Sequence, residues 1–226
     1  MNKLKKLIAD NFPAYSYAVL PVVLLTHALV WGVTKTVTKN LPATDVTLPI
    51  DAMIPLRPEW VVIYVLTFVF WAAGLVVVMR QREELCHKMT AGILIAEVIC
   101  CFFFIALPSC VVRPEINVAG PFSWALSIIY TTDTPTNCFP SMHCLFAYMV
   151  FRQSLKSEVG PRWRIFSGVF AALVCLSTLF VKQHVVVDVV SGIFFGEVAY
   201  LMGMLLPLWK IFNKINKITL AKCFPM

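Results

Sequence analysis

The sequence predicts an all-α, polytopic membrane protein, and three observations lead to that fold class. Hydrophobic residues make up 59% of the 226 residues, charged residues only 14%, and the mean hydropathy is +0.80. A soluble domain carries roughly 25% charged residues, so this chain would leave too much apolar surface facing water. The apolar residues are grouped in blocks of about 20, the length of a helix that crosses the hydrocarbon core. Basic residues are concentrated in the connections between these blocks.

Six blocks are long enough to be transmembrane helices, and together they form one predicted domain over residues 1–226. The first block follows a basic N-terminus but is too long for a cleavable signal peptide, so we expect it to be retained as a helix. The predicted spans are 14–34, 60–79, 90–107, 139–153, 165–181 and 184–209.

The distribution of basic residues predicts that both termini are cytoplasmic, because Lys and Arg accumulate on the inner side of a membrane. In that topology only five of the 19 Lys and Arg residues are on the outer side: Lys35, Lys39, Arg57, Arg113 and Lys182. We therefore expect the net charge of +7 to face anionic lipid headgroups rather than a nucleic acid. The expected localisation is the plasma membrane, as a multi-pass protein.

The eight cysteines form no metal-binding pattern, and most are expected to be small buried hydrophobic residues. Cys110 and Cys138 both fall on the predicted outer side. A disulfide between them remains open, since an oxidising compartment would permit one.

Four ionisable residues are assigned structural roles from their positions. His87 falls in the predicted inner connection after the second span, where we expect it to be solvated. Glu97 and Glu197 lie within spans, and we expect hydrogen bonds between helices rather than a proton path. His27 is expected to pack within the bundle or to hydrogen-bond a neighbouring helix.

Ionisable residues collect at the predicted outer ends of the later helices. His143 and His184 both lie there, with Arg113, Lys182 and Asp188 at the same depth. Charged groups near a membrane interior are expensive and are usually functional. This end of the bundle is therefore the predicted extracytoplasmic active site.

The spacing of His184 and Asp188 suggests a catalytic pair. Residues four apart share one face of a helix. Asp188 can accept the Nδ1–H of His184, which leaves Nε2 free as a nucleophile. The alternative is a polar pair that joins two helices without taking part in catalysis.

The segment around His143 suggests a phosphate cradle. Pro140 and Ser141 precede His143 where the fourth span is expected to start, and proline is tolerated in the first helical turn. The free N–H groups of a helix N-terminus suit phosphate oxygens. The Ser141 hydroxyl would add another donor.

Taken in order, these residues resemble the motifs of the type 2 phosphatidic acid phosphatase and haloperoxidase superfamily. Those motifs are Lys-x6-Arg-Pro, Pro-Ser-Gly-His and Ser-Arg-x5-His-x3-Asp. The corresponding residues here are Arg113–Pro114, then Pro140, Ser141 and His143, then Ser177, His184 and Asp188. Six helices with the site at the outer face also match the membrane members, so the resemblance covers most of the chain.

The resemblance implies a role for each motif residue. His184 would attack phosphorus to form a phosphohistidine, Asp188 would orient it, and His143 would protonate the leaving alkoxide. Arg113, Ser141 and backbone amides would hold the phosphoryl oxygens. The family chemistry implies no metal ion and no cofactor.

Three positions depart from the family motifs. Ala106 stands where the first-motif lysine is expected, Met142 replaces the glycine, and Thr178 replaces the third-motif arginine. Lys182 follows Thr178 by four residues and could supply a replacement cation, although a lysine lacks the bidentate geometry of arginine.

The resemblance leaves three functions open. The first, which we expect because no clear second headgroup site is evident, is hydrolysis of a lipid phosphate or diphosphate monoester through a phosphohistidine. The second is headgroup transfer to an alcohol, and it resembles the reaction of inositol phosphorylceramide and sphingomyelin synthases. The absence of the first-motif lysine points toward this branch. The third is a non-catalytic membrane or transport protein. The lipid itself and the oligomeric state are not predicted.

Overall fold

The computed structural model describes residues 10–116, 119–211 and 213–214. Within them the chain is mostly helical, with a bundle of long helices and shorter segments in the connections. The α-helices are α1 Val19–Thr38, α2 Val61–Met79, α3 Glu83–Ala106, α4 Pro121–Thr132, α5 Met142–Ser154, α6 Pro161–Phe180 and α7 Val186–Leu205. Short 3-10 segments cover Ala14–Ser16, Pro49–Met53 and Pro58–Trp60.

Within the part of the chain that the structure describes, five helical stretches are long and apolar enough to cross a membrane, which makes this an integral membrane protein. They are Ala14–Thr38, Pro58–Met79, Glu83–Ala106, Pro161–Phe180 and Val186–Leu205. The fourth predicted span corresponds to α5, which has 13 residues and is therefore about 20 Å long. That is less than the roughly 30 Å of a hydrocarbon core, so six spans remain a prediction.

The helices alternate in direction, which separates the bundle into two faces. At one face, which we call the site face, the backbone N–H of Arg57 donates to the carbonyl of Phe180. At the opposite face Arg82 pairs with Glu158 at 3.1 Å. The inner location of that opposite face remains a prediction. Five of the basic residues predicted to be on the inner side lie outside the described part of the chain: Lys3, Lys5, Lys6, Lys217 and Lys222.

The third helix begins earlier than its hydropathy indicates. α3 starts at Glu83, and Glu83 and Glu84 occupy its first turn, where acidic side chains stabilise the positive end of the helix dipole. The expectation that His87 is a solvated loop residue is therefore wrong. His87 is 1% exposed, and its Nε2 lies 3.3 Å from the carbonyl oxygen of Tyr15.

The long connection 108–137 contains ordered structure that the sequence analysis did not predict. α4 begins at Pro121, a residue whose fixed φ suits the first helical position. Strands β1, Thr44–Asp45, and β2, Ser109–Cys110, pair in parallel, so two connections meet at the site face. Cys110 and Cys138 are free thiols in this structure.

Glycines allow α7 to pack closely against its neighbours. A Cβ at Gly203 would lie 2.5 Å from the backbone nitrogen of Gly92 on α3, and one at Gly192 would lie 2.7 Å from the carbonyl oxygen of Ser141. Small residues at such crossings let membrane helices approach. The contact at Gly192 brings the start of α5 next to the start of α7.

Candidate active site

The two site-face histidines come together although 41 positions separate them in the sequence. His143 lies in the first turn of α5, and His184 lies in the loop between α6 and α7, before the α7 span begins. Their ring centroids are 5.7 Å apart. Both line a cavity of about 320 Å³, which we call the histidine cavity.

The expected contact between His184 and Asp188 is present, although His184 precedes α7 and does not lie on the helix. Its Nδ1 lies 3.3 Å from Oδ2 of Asp188, and that oxygen also accepts the backbone N–H of Val185 at 3.1 Å. Burial would lower the pKa of His184, but the hydrogen bond and negative charge of Asp188 outweigh it, so the pKa is raised above its ordinary value. With Nδ1 committed to Asp188, Nε2 is available for chemistry.

The backbone around His184 is held at several points. The carbonyl of Thr178 accepts the N–H groups of both Gln183 and His184, and Lys182 adopts a positive φ of 55° at the turn. Oδ1 of Asp51 accepts the backbone N–H of Val186 at 2.8 Å, which ties the start of α7 to the 3-10 segment Pro49–Met53. His184 therefore lies on a turn whose backbone is fixed by hydrogen bonds.

His143 lies within an aromatic collar. Its ring stacks on Tyr64 at 4.5 Å, and the rings of Trp71 and Phe68 are 5.5 Å and 5.8 Å away. Its Nε2 is buried and has no hydrogen-bond partner. A buried nitrogen without a partner is expensive, so this atom is suited to a group that enters the cavity.

Arg113 and Gln183 present unused donors to the same cavity. Nη1 of Arg113 donates to the carbonyls of Tyr130 and Asp133, and Nη2 donates to Oε1 of Gln183. These bonds leave Nε of Arg113 and Nε2 of Gln183 buried without partners. Both residues line the histidine cavity, so an acceptor group that enters the cavity could bind these two donors. Gln183 was not identified from the sequence, although it directly precedes His184.

A second cation reaches the cavity from α1. Lys35 lines the histidine cavity, and its Nζ lies 4.3 Å from the ring centroid of Trp31. The sequence analysis counted Lys35 only as an outer basic residue. No local spacing links it to the other site residues, because α1 reaches the site only through packing.

The structure does not bring Ser141 and Lys182 into the cavity lining. Ser141 is fully buried and caps α5, since its Oγ accepts the N–H of Cys144 at 3.3 Å. Nζ of Lys182 donates to the carbonyl of Asp51 at 2.9 Å. Thr178, in place of the family arginine, is also buried and outside the lining. Lys35 and Arg113 are the Lys and Arg residues that line the cavity within the described chain.

One group of side chains has the composition of a metal site. The ligand atoms of Cys138, His184 and Asp188 lie within 4.8 Å of one another, and all three residues are buried. A thiolate, an imidazole and a carboxylate are ligands that Zn²⁺ accepts. A metal-free site therefore remains an expectation for experiment to test.

A second cavity adjoins the first and is mainly apolar. It also has a volume of about 320 Å³, and its walls come from α1, α2, α3 and α5. His27, Phe68 and Trp71 line both cavities. We call this second space the apolar cavity.

Comparison with known proteins identifies one family. A family model described as "PAP2 superfamily" matches residues 59–202, which is more than half of the chain. The matched region includes Arg113, His143, His184 and Asp188, whereas Lys35 lies before it. No match was found among the curated proteins or among the solved structures.

Proposed function

Because the chain belongs to the PAP2 superfamily, we propose that it is an integral membrane phosphatase that hydrolyses a lipid phosphate or diphosphate through a phosphohistidine. Membership supports a phosphatase-like activity in general. The lipid, the intermediate, the absence of a metal requirement and the outer location of the site belong to this proposal.

One observation carries the proposal. Arg113 and Gln183, each with a buried donor that has no partner, line the same cavity as His143 and His184. A phosphoryl group placed between them would supply the acceptors that these donors lack. It would also bring phosphorus within reach of a histidine whose second nitrogen is already committed to Asp188.

The first chemical step forms a bond between Nε2 of His184 and phosphorus while the bond from phosphorus to the lipid oxygen breaks. His143 gives its proton to the departing alkoxide, so the lipid leaves as a neutral alcohol. Arg113, Gln183 and Lys35 stabilise the negative charge on the phosphoryl oxygens during transfer.

The second step returns the enzyme to its starting state. A water molecule attacks phosphorus, and the neutral His143 takes the water's proton. The bond to His184 breaks and inorganic phosphate leaves. Ser141 and Lys182 are assigned to positioning in this scheme, because Ser141 caps α5 and Lys182 holds the carbonyl of Asp51.

The proposal is tested by measuring inorganic phosphate released from a panel of lipid phosphates and diphosphates in detergent. Wild type is compared with His184→Ala, with and without EDTA. We expect release that survives the chelator and falls to background in the variant. His87→Gln, a substitution distant from the site, controls for effects of mutagenesis and purification. Size-exclusion profiles verify that the variants are folded.

Each other outcome changes the conclusion. Activity abolished by EDTA would point to a metal held by Cys138, His184 and Asp188. Product formed only when a lipid alcohol is added would replace hydrolysis by headgroup transfer. Absence of turnover under all of these conditions would overturn the proposal.

A further inference from the structure

His27 and Glu97 form a polar pair where the two cavities meet. Nδ1 of His27 lies 2.8 Å from Oε1 of Glu97, across the contact between α1 and α3. His27 lines both cavities, and Glu97 lines the apolar cavity. Hydrogen bonds between helices were expected for both residues from the sequence, and the structure shows that the two are each other's partners.

The second oxygen of Glu97 has no partner. Glu97 is 1% exposed, and Oε2 is buried without a hydrogen bond. Leaving a carboxyl oxygen unsatisfied at hydrocarbon depth is unfavourable. Since this residue lines a cavity rather than closed packing, a bound molecule can supply the missing donor.

The chemistry of that donor follows from the pair. If His27 carries the shared proton, Glu97 is a carboxylate and Oε2 is an acceptor. If the proton is on Oε1 of Glu97, Oε2 is a carbonyl oxygen and again an acceptor. In both cases the group beside Oε2 must donate a hydrogen bond. If Oε2 carries the proton while Nδ1–H of His27 donates to Oε1, that group must accept one, and a hydroxyl can do either.

The depth of the pair matches the part of a lipid next to its phosphate. His143 lines the histidine cavity and Phe146 lines the apolar cavity, and on α5 they are separated by about 4.5 Å. The ring of Phe146 lies 6.4 Å from the ring of His27. The polar pair is therefore about one helical turn below the catalytic histidines.

We propose that Glu97, supported by His27, binds a free hydroxyl of the lipid whose phosphate occupies the histidine cavity. This inference rests on the proposed function and narrows its substrate class. Preferred substrates carry a hydroxyl on the second carbon of the phosphorylated backbone and a hydrocarbon chain that enters the apolar cavity. Lipids in which that position bears no donor are poorer substrates.

Two probes that differ in one oxygen atom test the inference. They are a 1-acylglycerol 3-phosphate and its 2-deoxy counterpart with the same acyl chain. For wild type we expect kcat/KM to be about tenfold higher for the hydroxyl probe, the effect of one hydrogen bond to a charged or polarised group. In Glu97→Leu the ratio of kcat/KM for the two probes should fall to about one, whatever the absolute turnover of the variant.

Glu197→Gln is the matched control, because Glu197 is also an intramembrane glutamate. Its carboxylate is already bound by Arg152 at 2.8 Å and by the hydroxyl of Tyr148 at 2.9 Å. This variant should keep the preference for the hydroxyl probe. Equal turnover of the two probes by wild type, or a preference that persists in Glu97→Leu, would overturn the inference.

Binding measurements separate this inference from the proposed function. Competition between phosphonate analogues with and without the hydroxyl does not require hydrolysis. A hydroxyl preference that Glu97→Leu abolishes supports the site even if no phosphate is released, whereas equal binding refutes it. A lipid alcohol added with the deoxy probe provides a further test. If wild type phosphorylates this alcohol and Glu97→Leu does not, the hydroxyl bound by Glu97 belongs to a separate acceptor molecule, and the inference about the substrate's own hydroxyl is overturned.

Discussion

Some residues at the site face the cavity, and others fix the positions of the residues that do. Arg113 does both, because its Nη atoms bind the end of α4 and Gln183 while Nε is left free. Asp188 faces His184 and also caps the first turn of α7. Substitutions at these positions therefore change geometry as well as charge.

Replacing Asp188 tests how its charge acts on His184. In the proposed mechanism attack requires neutral His184, so we expect activity to be lost as the pH falls through its raised pKa. Asp188→Asn removes the negative charge and lowers that pKa, so the acidic limb of the kcat/KM profile should move to lower pH. We also expect kcat to fall by about 10²-fold or more, because the ring is held less well. A limb that stays in place or moves to higher pH would contradict this assignment.

Replacing Lys35 tests whether α1 supplies a cation to the phosphate. Lys35→Gln should lower kcat/KM for a lipid phosphate by about tenfold, the effect of one charge-assisted hydrogen bond. Lys39→Gln is the matched control, since Lys39 is exposed one turn further along the chain. Equal effects of the two variants would indicate a general surface charge effect instead.

Among the helices, α7 sets the distance between the family motifs. Its Gly192 packs on the carbonyl of Ser141, two residues before His143, and Asp188 one turn earlier holds His184. The active site thus depends on how closely α5 and α7 approach. This dependence can be tested away from the catalytic residues.

Gly192→Val should separate α5 from α7. A Cβ there would lie 2.7 Å from the carbonyl oxygen of Ser141, so one helix must move. We expect a loss of about 1–3 kcal/mol in stability and a much larger relative loss of phosphate release. Gly32→Val is the control, because nothing lies within 4 Å of a Cβ at Gly32. Wild-type turnover by Gly192→Val would show that the spacing is not critical.

The long helices could be predicted because hydropathy reports the solvent that each block faces. The motif residues could be placed because their spacings are local, as with His184 and Asp188. The start of α3 could not be predicted, since Glu83 and Glu84 suit both a solvated loop and a helix N-terminus. Lys35 and the pairing of His27 with Glu97 also escaped prediction, because contacts between distant helices leave no local pattern.

Among the described residues, the candidate active site and most of the basic side chains are at opposite ends of the bundle. His143, His184 and Arg113 belong to the site face, whereas Arg82 and Lys156 belong to the opposite face. The positive-inside tendency then predicts that the cavity faces away from the cytoplasm. Because this orientation is defined relative to the membrane, its test requires intact cells.

Epitope tags inserted at the two faces test this orientation. One is placed after Asn40, in an exposed stretch at the site face, and the other after Val159, in the connection before α6. In intact cells we expect an antibody to reach only the tag after Asn40, and to reach both after permeabilisation. Labelling of the Val159 tag in intact cells would reverse the topology.

The wall that the two cavities share has a thermodynamic consequence. His27, Phe68 and Trp71 separate a polar space from an apolar one lined by helices at hydrocarbon depth. If the substrate is a lipid phosphate, as we propose, its phosphate can reach His184 while its chain stays among apolar side chains. Extracting a sixteen-carbon chain into water would cost roughly 13 kcal/mol, at about 0.8 kcal/mol per methylene. This arrangement avoids that desorption step, so delivery of substrate becomes diffusion in the plane of the bilayer.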